Sequence, residues 1–470
     1  MVELTFRGGF CLNKEDGNFE AKSYTTGIPE SLWESYSAFA NTSGGTIALG
    51  LNESDDGSLA VCGVPNADSI RDDMWSTLNN PQKVSVNLLM DGDLRVMEVD
   101  GRRLIVMDVP AADRTLRPVY IRNVNSGTFK RNGSGDYHCN ASEIAAMYRD
   151  ASPESRDTFV ARDSELGDLS SESIEAFRNM MLVRSPTSEW LSQPLDEFLR
   201  LIGAARMDKG TMRPTNAGLM MFGKDYAIMP EIPGFFLDYR EYAGDGDEWV
   251  LRRCSGSPNW SGNLFDFYIF VTNRIPSMVG TGFSVPDGIN REDDTQMIRA
   301  LREVVTNALV HADYWGRGGT VLEMRPGSFT ARNPGTFRIP LEEAEAGGTS
   351  DPRNRALFKM FNLIGRAERA GSGIRSVINA CRNQGLSMPV IEELQRPDAV
   401  RVTVDFRRKP GSELVEGIIG VIRSNPRASI VSIAESLGVS KSPVVSNLKK
   451  MKEDGIIERV GGTRGYWRIR

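Results

Sequence analysis

The stretch Glu303-Val-Val-Thr-Asn307-Ala-Leu-Val-His311-Ala-Asp-Tyr314 constrains this 470-residue chain more than any other. Asp293 and Asp294, just upstream, supply the polar start that opens many helices. Met297, Ile298, Leu301, Val304, Val305, Leu309 and Val310 then recur at helical spacing, which predicts an amphipathic helix with a buried face. Glu303, Asn307 and His311 stand four apart along it. At about 100° per residue, each step drifts by only about 40°, so the three share one stripe. A carboxylate, an amide and an imidazole in line on an apolar helix can be a solvated face ending in a histidine, or the wall of a ligand site. Spacing alone leaves both readings open.

Three further blocks follow in order. They are Asn333-Pro334-Gly335, Ser350-Asp-Pro-Arg353-Asn354 and Glu368-Arg369-Ala-Gly371-Ser372-Gly373-Ile374. Glu-x-x-x-Asn on a long helix resembles the N-box of the GHKL ATPases. The four blocks together resemble the divergent GHKL-type domain of bacterial transcriptional regulators that also carry a Schlafen-like DNA-binding domain. The resemblance implies ATP and Mg²⁺ as cofactors, with Asn307 holding the metal against the phosphates and Glu303 activating water. An amide oxygen suits a hard cation that shares phosphate ligands. By the same resemblance His311, Asn333, Gly335, Arg353, Gly371 and Gly373 join the nucleotide site. The chain departs from the family where an Asp-x-Gly block usually reads adenine, because Asn333-Pro334-Gly335 has no carboxylate. Gly371 and Gly373 let backbone approach a phosphate, or they serve only a turn. Arg353 contacts phosphate, or forms a plain ion pair at a helix start.

A chain of this length suggests about three domains. The expected class is α+β multidomain: an α/β unit over residues 1–150, a polar linker at 151–173, an α/β sandwich at 174–408 with a helical lead-in, and a helix-turn-helix at 412–470. No apolar run approaches the length that spans a bilayer, and the first residues lack a basic-then-apolar signal. Cys11, Cys62, Cys139, Cys254 and Cys381 are scattered and odd in number, which fits a reducing cytoplasm rather than a disulfide frame or structural zinc. The two histidines exclude a histidine-rich metal site. A formal charge of −6 requires any nucleic-acid surface to be local.

In the first block, Leu32, Trp33, Tyr36, Phe39 and Ala40 mark one face of a helix from Pro29 to Asn41, which the cluster Asn41-Thr-Ser-Gly44-Gly45 stops. Strands are expected at Thr46–Leu51 and Leu104–Val109. Glu20-Ala-Lys22, Ser37-Ala-Phe-Ala-Asn41-Thr-Ser-Gly44-Gly45-Thr46, Gly50 and Arg131-Asn-Gly133-Ser134 resemble the Schlafen-like AlbA domain, whose name implies nucleic-acid binding. Lys22, Lys130 and Arg131 beside glycine turns then become candidates for phosphate oxygens. In the other reading the glycines serve turn geometry and the basic residues are simply solvated. Some Schlafens are RNA nucleases with clustered carboxylates; Glu15, Glu20 and Glu34 are available, but no spacing marks a metal site.

From Ser412 onward, Leu414, Ile418, Ile419 and Ile422 mark one helix, Ile430 to Leu437 a second stopped by Gly438, and Ser440-Lys-Ser-Pro443 opens a third. Two short strands then flank Gly461-Gly-Thr-Arg464-Gly465. The order resembles a winged helix-turn-helix regulator. Between Lys441 and Arg470 eight lysines and arginines face three acids, eight minus three or +5, as phosphate neutralisation requires. The third helix offers Ser440, Lys441, Ser442, Ser446 and Lys449 to the major groove of double-stranded DNA, and Arg464 reaches from the wing. A winged helix used for protein contact is the competing reading.

The leading expectation is a cytoplasmic, DNA-binding transcriptional regulator, a homodimer by analogy with palindromic operators, modulated by a nucleotide in the middle domain. The alternative is an enzyme, either a GHKL-type ATPase or a Schlafen-like nuclease, with a place in phage defence as one outcome. A protein-interaction scaffold is the third reading.

Overall fold

The computed structural model describes residues 4–5, 11–12, 17–54, 58–244, 246–280, 296–367, 373–407, 412–453, 455–461 and 465–469. Asp293, Asp294, Glu15, Gly371 and Arg464 lie outside the described residues.

The N-terminal unit is a four-stranded sheet in the order Phe19–Lys22, Gly45–Leu49, Arg102–Val109, Leu94–Val99. The first pair is parallel and the others antiparallel. A parallel pair needs a crossover, which the helix Glu30–Ala40 supplies. Its apolar face buries Leu32, Tyr36 and Phe39 against Ile47, Leu49, Ile105 and Met107. The glycine pair after it is dictated by space. Gly44 has φ +77°, and a Cβ on Gly45 would sit 2.4 Å from the Phe39 ring. Asn41 is a buried clamp: its amide donates to the carbonyls of Val119 and Phe129, while its oxygen accepts from Val119 N–H. The run from Ser37 to Gly45 therefore holds the 119–129 segment in place.

The central domain is built on a six-stranded sheet, ordered Trp249–Cys254, Leu237–Tyr242, Thr320–Arg325, Ser328–Pro334, Ala399–Asp405, Val390–Leu394. All its pairings are antiparallel except that of Leu237–Tyr242 with Thr320–Arg325. The alternating residues Leu322, Met324, Phe329, Ala331 and Val404 point into the main core. Helices Leu264–Gly280 and Gln296–His311 pack on this sheet, and Gly373–Asn383 packs against Gln296–His311. The Gln296–His311 helix buries Met297, Ile298, Leu301, Val304, Val305, Leu309 and Val310, the face its spacing predicts.

The expected linker at 151–173 is instead part of the central fold. Ala161, Ser164 and Ser170 are buried, and Ser170 caps the helix Ser171–Arg184. Asp157 accepts from the N–H groups of Ala356 and Leu357, which caps the helix Arg355–Leu363. Burial raises the Asp157 carboxyl above its ordinary range, while the Ser155 hydroxyl and those two amides pull it back. A polar composition marked this segment as solvated; its polar groups are instead spent on helix ends.

Residues 412–469 form a separate small core of Ile418, Ile422, Ile433, Val444, Leu448, Met451, Ile457 and Trp467. Helices Ser412–Ser424, Ile430–Ser436 and Lys441–Glu453 precede the antiparallel pair Ile457–Val460 and Tyr466–Ile469. Ser429 caps the second helix, and Gly438 at φ +63° turns the chain into the third.

Candidate functional site

A cleft of about 1140 Å³, open to solvent, lies between the Gln296–His311 helix, the Gly373–Asn383 helix and the sheet. Glu303, Asn307, His311, Asn333 and Gly373 all line it, so the polar stripe faces a cavity. Apolar Ala331, Ile391, Val400 and Val402 form much of the opposite wall.

The three stripe residues sit in different environments. Glu303 accepts a hydrogen bond of 2.6 Å from Ser376 on the facing helix. Asn307 has no hydrogen-bond partner among the described residues, and its amide packs against Gly373, where a Cβ would stand 2.0 Å from Nδ2. His311 is half-buried; desolvation, helped by the Arg353 and Arg338 cations, lowers its pKa to about 4, so the imidazole is neutral at pH 7. A half-buried amide without a protein partner, one turn from a carboxylate, fits a hard cation shared with phosphate oxygens. Asn307 would hold Mg²⁺ and Glu303 would face it. Among the described residues, no group of three or more His, Cys, Asp or Glu is placed to hold a metal by itself. Asn333 is buried on the cleft wall and donates 3.3 Å to its neighbour Pro334 O.

Two expected nucleotide ligands serve the frame instead. Arg353 is half-buried, its side chain 10% exposed, and forms a two-pronged pair with Asp150, at 2.8 and 2.7 Å. It also donates to the carbonyls of His311 and Thr336. Burial opposes its charge, yet Asp150 more than offsets this and holds the guanidinium above its ordinary range. Arg353 is therefore an ion pair and a helix C-cap, not an open phosphate ligand. Gly335, at φ +100°, makes room for it: a Cβ there would meet Arg353 Nη1 at 2.5 Å. Asn354 completes the cap by donating to the carbonyls of Val310 and Ala312.

Sequence reasoning missed Arg338 and gave Asp351 no role beyond its place in the block from Ser350 to Asn354; both line the cleft. Arg338 donates to the carbonyls of Pro352 and Asp150, and burial lowers its pKa to about 10. Asp351 pairs with Arg114 of the N-terminal unit. Their loop position gave no periodic signal.

The N-terminal candidates turn inward, which corrects the phosphate expectation. Arg131 is buried between Glu20 at 2.7 Å and Asp136 at 2.9 Å. Lys22 pairs with Glu20 at 2.5 Å, and Lys130 pairs with Asp398 of the central domain at 2.7 Å. Each cation has already exchanged water for a carboxylate, and a phosphate would have to displace it. Glu20 is thereby spent on two cations, and Glu15 lies outside the described residues.

The third helix of the last unit is different. Ser440, Lys441, Ser442, Ser446 and Lys449 are all exposed, as are Lys450 and Lys452. Lys441, Lys450 and Lys452 have no ion-pair partner among the described residues; Lys449 lies 4.0 Å from Glu453. Arg468 is paired with Glu458, and Arg459 lies over the Trp467 ring at 4.6 Å.

Comparison with known families divides the chain along these lines. Residues 14–140 match the Schlafen, AlbA_2 family, 322–404 the ATP-dependent DNA helicase recG C-terminal family, and 412–458 the winged helix-turn-helix DNA-binding family. Residues 145–238 match a domain of unknown function, DUF8451. A comparison with curated proteins gave no match. Among solved structures, the DIP2311 protein from Corynebacterium diphtheriae is similar at 18% identity, covering 97% of this chain and 80% of that chain, with a TM-score of 0.41. The N-terminal domain of an ATP-dependent DNA helicase RecG-related protein from Nitrosomonas europaea is similar at 30% identity, covering 26% of this chain and 82% of that chain, with a TM-score of 0.21. The chain is thus a multidomain α/β protein of nucleic-acid-associated type. In particular it joins a Schlafen AlbA_2 domain, an ATPase-like recG C-terminal domain and a winged helix-turn-helix. No helix among the described residues is long and apolar enough to cross a membrane.

Proposed function

We propose that the chain is a DNA-binding transcriptional regulator whose central cleft binds a nucleotide with Mg²⁺. The observation that carries this reading is the exposed Lys441–Glu453 helix. Its N-terminal serines and Lys441 stand where such a helix meets base edges, and its lysines remain available to phosphates. Duplex operators are commonly two-fold, so the DNA-bound form would be a homodimer. In the cleft, Asn307 would carry the metal, with Asn333 and the backbone at Gly373 beside the ligand. Glu303 favours a second reading, in which the bound nucleotide is hydrolysed, because a carboxylate facing the same cleft can order water.

Fluorescence anisotropy with duplex DNA over a salt series tests the first reading. Affinity should fall linearly in log–log form with a slope of about −0.9 per phosphate neutralised. Lys441→Glu with Lys450→Glu should weaken binding and flatten that slope. Unchanged affinity would remove the winged helix as the reader. Calorimetry with ATP and Mg²⁺ tests the cleft, where Asn307→Ala should abolish the heat. Hydrolysis that disappears in Glu303→Ala while binding persists would establish the second reading.

A further inference from the structure

Apart from the cleft, a small pocket open to solvent lies at the seam between the N-terminal unit and the central domain. One wall is the chain from Arg149 to Arg156, which leaves the Ala141–Ala151 helix; the other is Asp313, Trp315, Arg338 and the run from Arg353 to Arg355. Arg149, Arg156, Arg338, Arg353 and Arg355 line it against Asp150, Glu154 and Asp313; five minus three leaves a charge of +2. The carboxylates occupy only some of the donors. Asp313 takes Arg149 Nη2 at 2.6 Å, and Asp150 takes Arg353. Arg156 stacks over Trp315 at 4.8 Å and its guanidinium makes no hydrogen bond among the described residues. The Nε atoms of Arg149 and Arg338 are buried without a hydrogen bond; that of Arg338, whose side chain is only 7% exposed, stands in loose ion pairs at 3.5 Å from Asp351 and 3.8 Å from Asp150. A buried donor left without a hydrogen-bond acceptor is destabilising, and native proteins resolve such groups with water or an ion.

We propose that this seam is an anion site that takes a phosphate group, distinct from the nucleotide cleft. A phosphate monoester carries about −1.5 to −2 charges near neutrality, which matches the excess on the walls. Planar guanidinium forks suit its tetrahedral oxygens. Because Arg149 and Asp150 come from the N-terminal unit and the rest of the lining from the central fold, the bound anion would add to the ties between them. Arg338 lines both cavities, so the two ligands would share one wall.

Calorimetry of the full chain with sodium orthophosphate at fixed ionic strength, and with a dinucleotide bearing a 5′-phosphate or a 5′-hydroxyl, tests this. The wild type and Asn307→Ala should bind phosphate alike, because the cleft is not involved. Arg156→Ala and Arg149→Gln should each weaken binding about tenfold. Arg156 is exposed, so its variant keeps the fold, and the melting temperature verifies this. Binding of orthophosphate supports the site with free phosphate as its source. Binding of only the 5′-phosphorylated dinucleotide supports it with a strand end as the source. No binding of either, or binding unchanged in both arginine variants, overturns the proposal.

Discussion

At the scale of single residues, the cleft depends on one close approach and one suppressed charge. A methyl group at position 373 would stand 2.0 Å from Asn307 Nδ2. The atom it meets ends a side chain, so the fold survives and the amide moves. Gly373→Ala should therefore weaken nucleotide affinity about tenfold or more while thermal unfolding stays near that of the wild type. His311 offers a pH signature. Its folded pKa of about 4 lies below the usual 6.5, so the unfolded chain binds the extra proton first as pH drops. Stability is complete above 6.5 and is lost as pH falls towards 4, at no more than about 1.4 kcal/mol per unit. Denaturant midpoints from pH 7 to 4 should show a shallower acid decline in His311→Gln. An unchanged decline would place the acid-sensitive group elsewhere.

At the scale of elements, the signature helix shows what the sequence could and could not convey. The stripe Glu303, Asn307, His311 was legible because helical periodicity is local, and one wall of the cleft follows from it. The opposite wall was legible only in part: the run from Val400 to Phe406 reads as a strand behind the helix, but Ile391 joins it only through the pairing of Val390–Leu394 with Ala399–Asp405. Arg353 looked like a phosphate ligand because a basic residue at a helix start is ambiguous until its partner is known. That partner, Asp150, lies 203 positions away. Asn354 was quoted only as part of a motif, and its work is to cap the signature helix from another element. Asn354→Ala would remove the side-chain hydrogen bonds to both carbonyls; Val310 keeps its bond from the backbone N–H of residue 354, and the buried Ala312 carbonyl is left unpaired. We expect a loss of about 1–3 kcal/mol, read as a lower urea midpoint with an unchanged slope. A loss confined to a few tenths would mean that solvent already satisfies that carbonyl.

For the whole molecule, the junctions differ in kind. The N-terminal unit is tied to the central domain by Lys130–Asp398, Arg149–Asp313, Arg114–Asp351 and Arg353–Asp150. These pairs are largely buried, so salt screens them less than surface pairs and removing one partner strands the other. The winged helix has its own compact core. Ligand in the cleft stabilises whatever unfolds with it, by about 2.7 kcal/mol at a concentration one hundred times Kd. Nucleotide should then raise the melting transition of the first two units together and leave that of residues 412–469 in place. Duplex DNA should do the reverse. Hydrogen exchange resolved by peptide separates the two halves directly. If nucleotide protected the Lys441–Glu453 helix while no DNA was present, the cleft and the DNA-reading surface would be coupled through the fold. Coupling of that kind is reciprocal, so DNA would have to tighten nucleotide binding by the same factor.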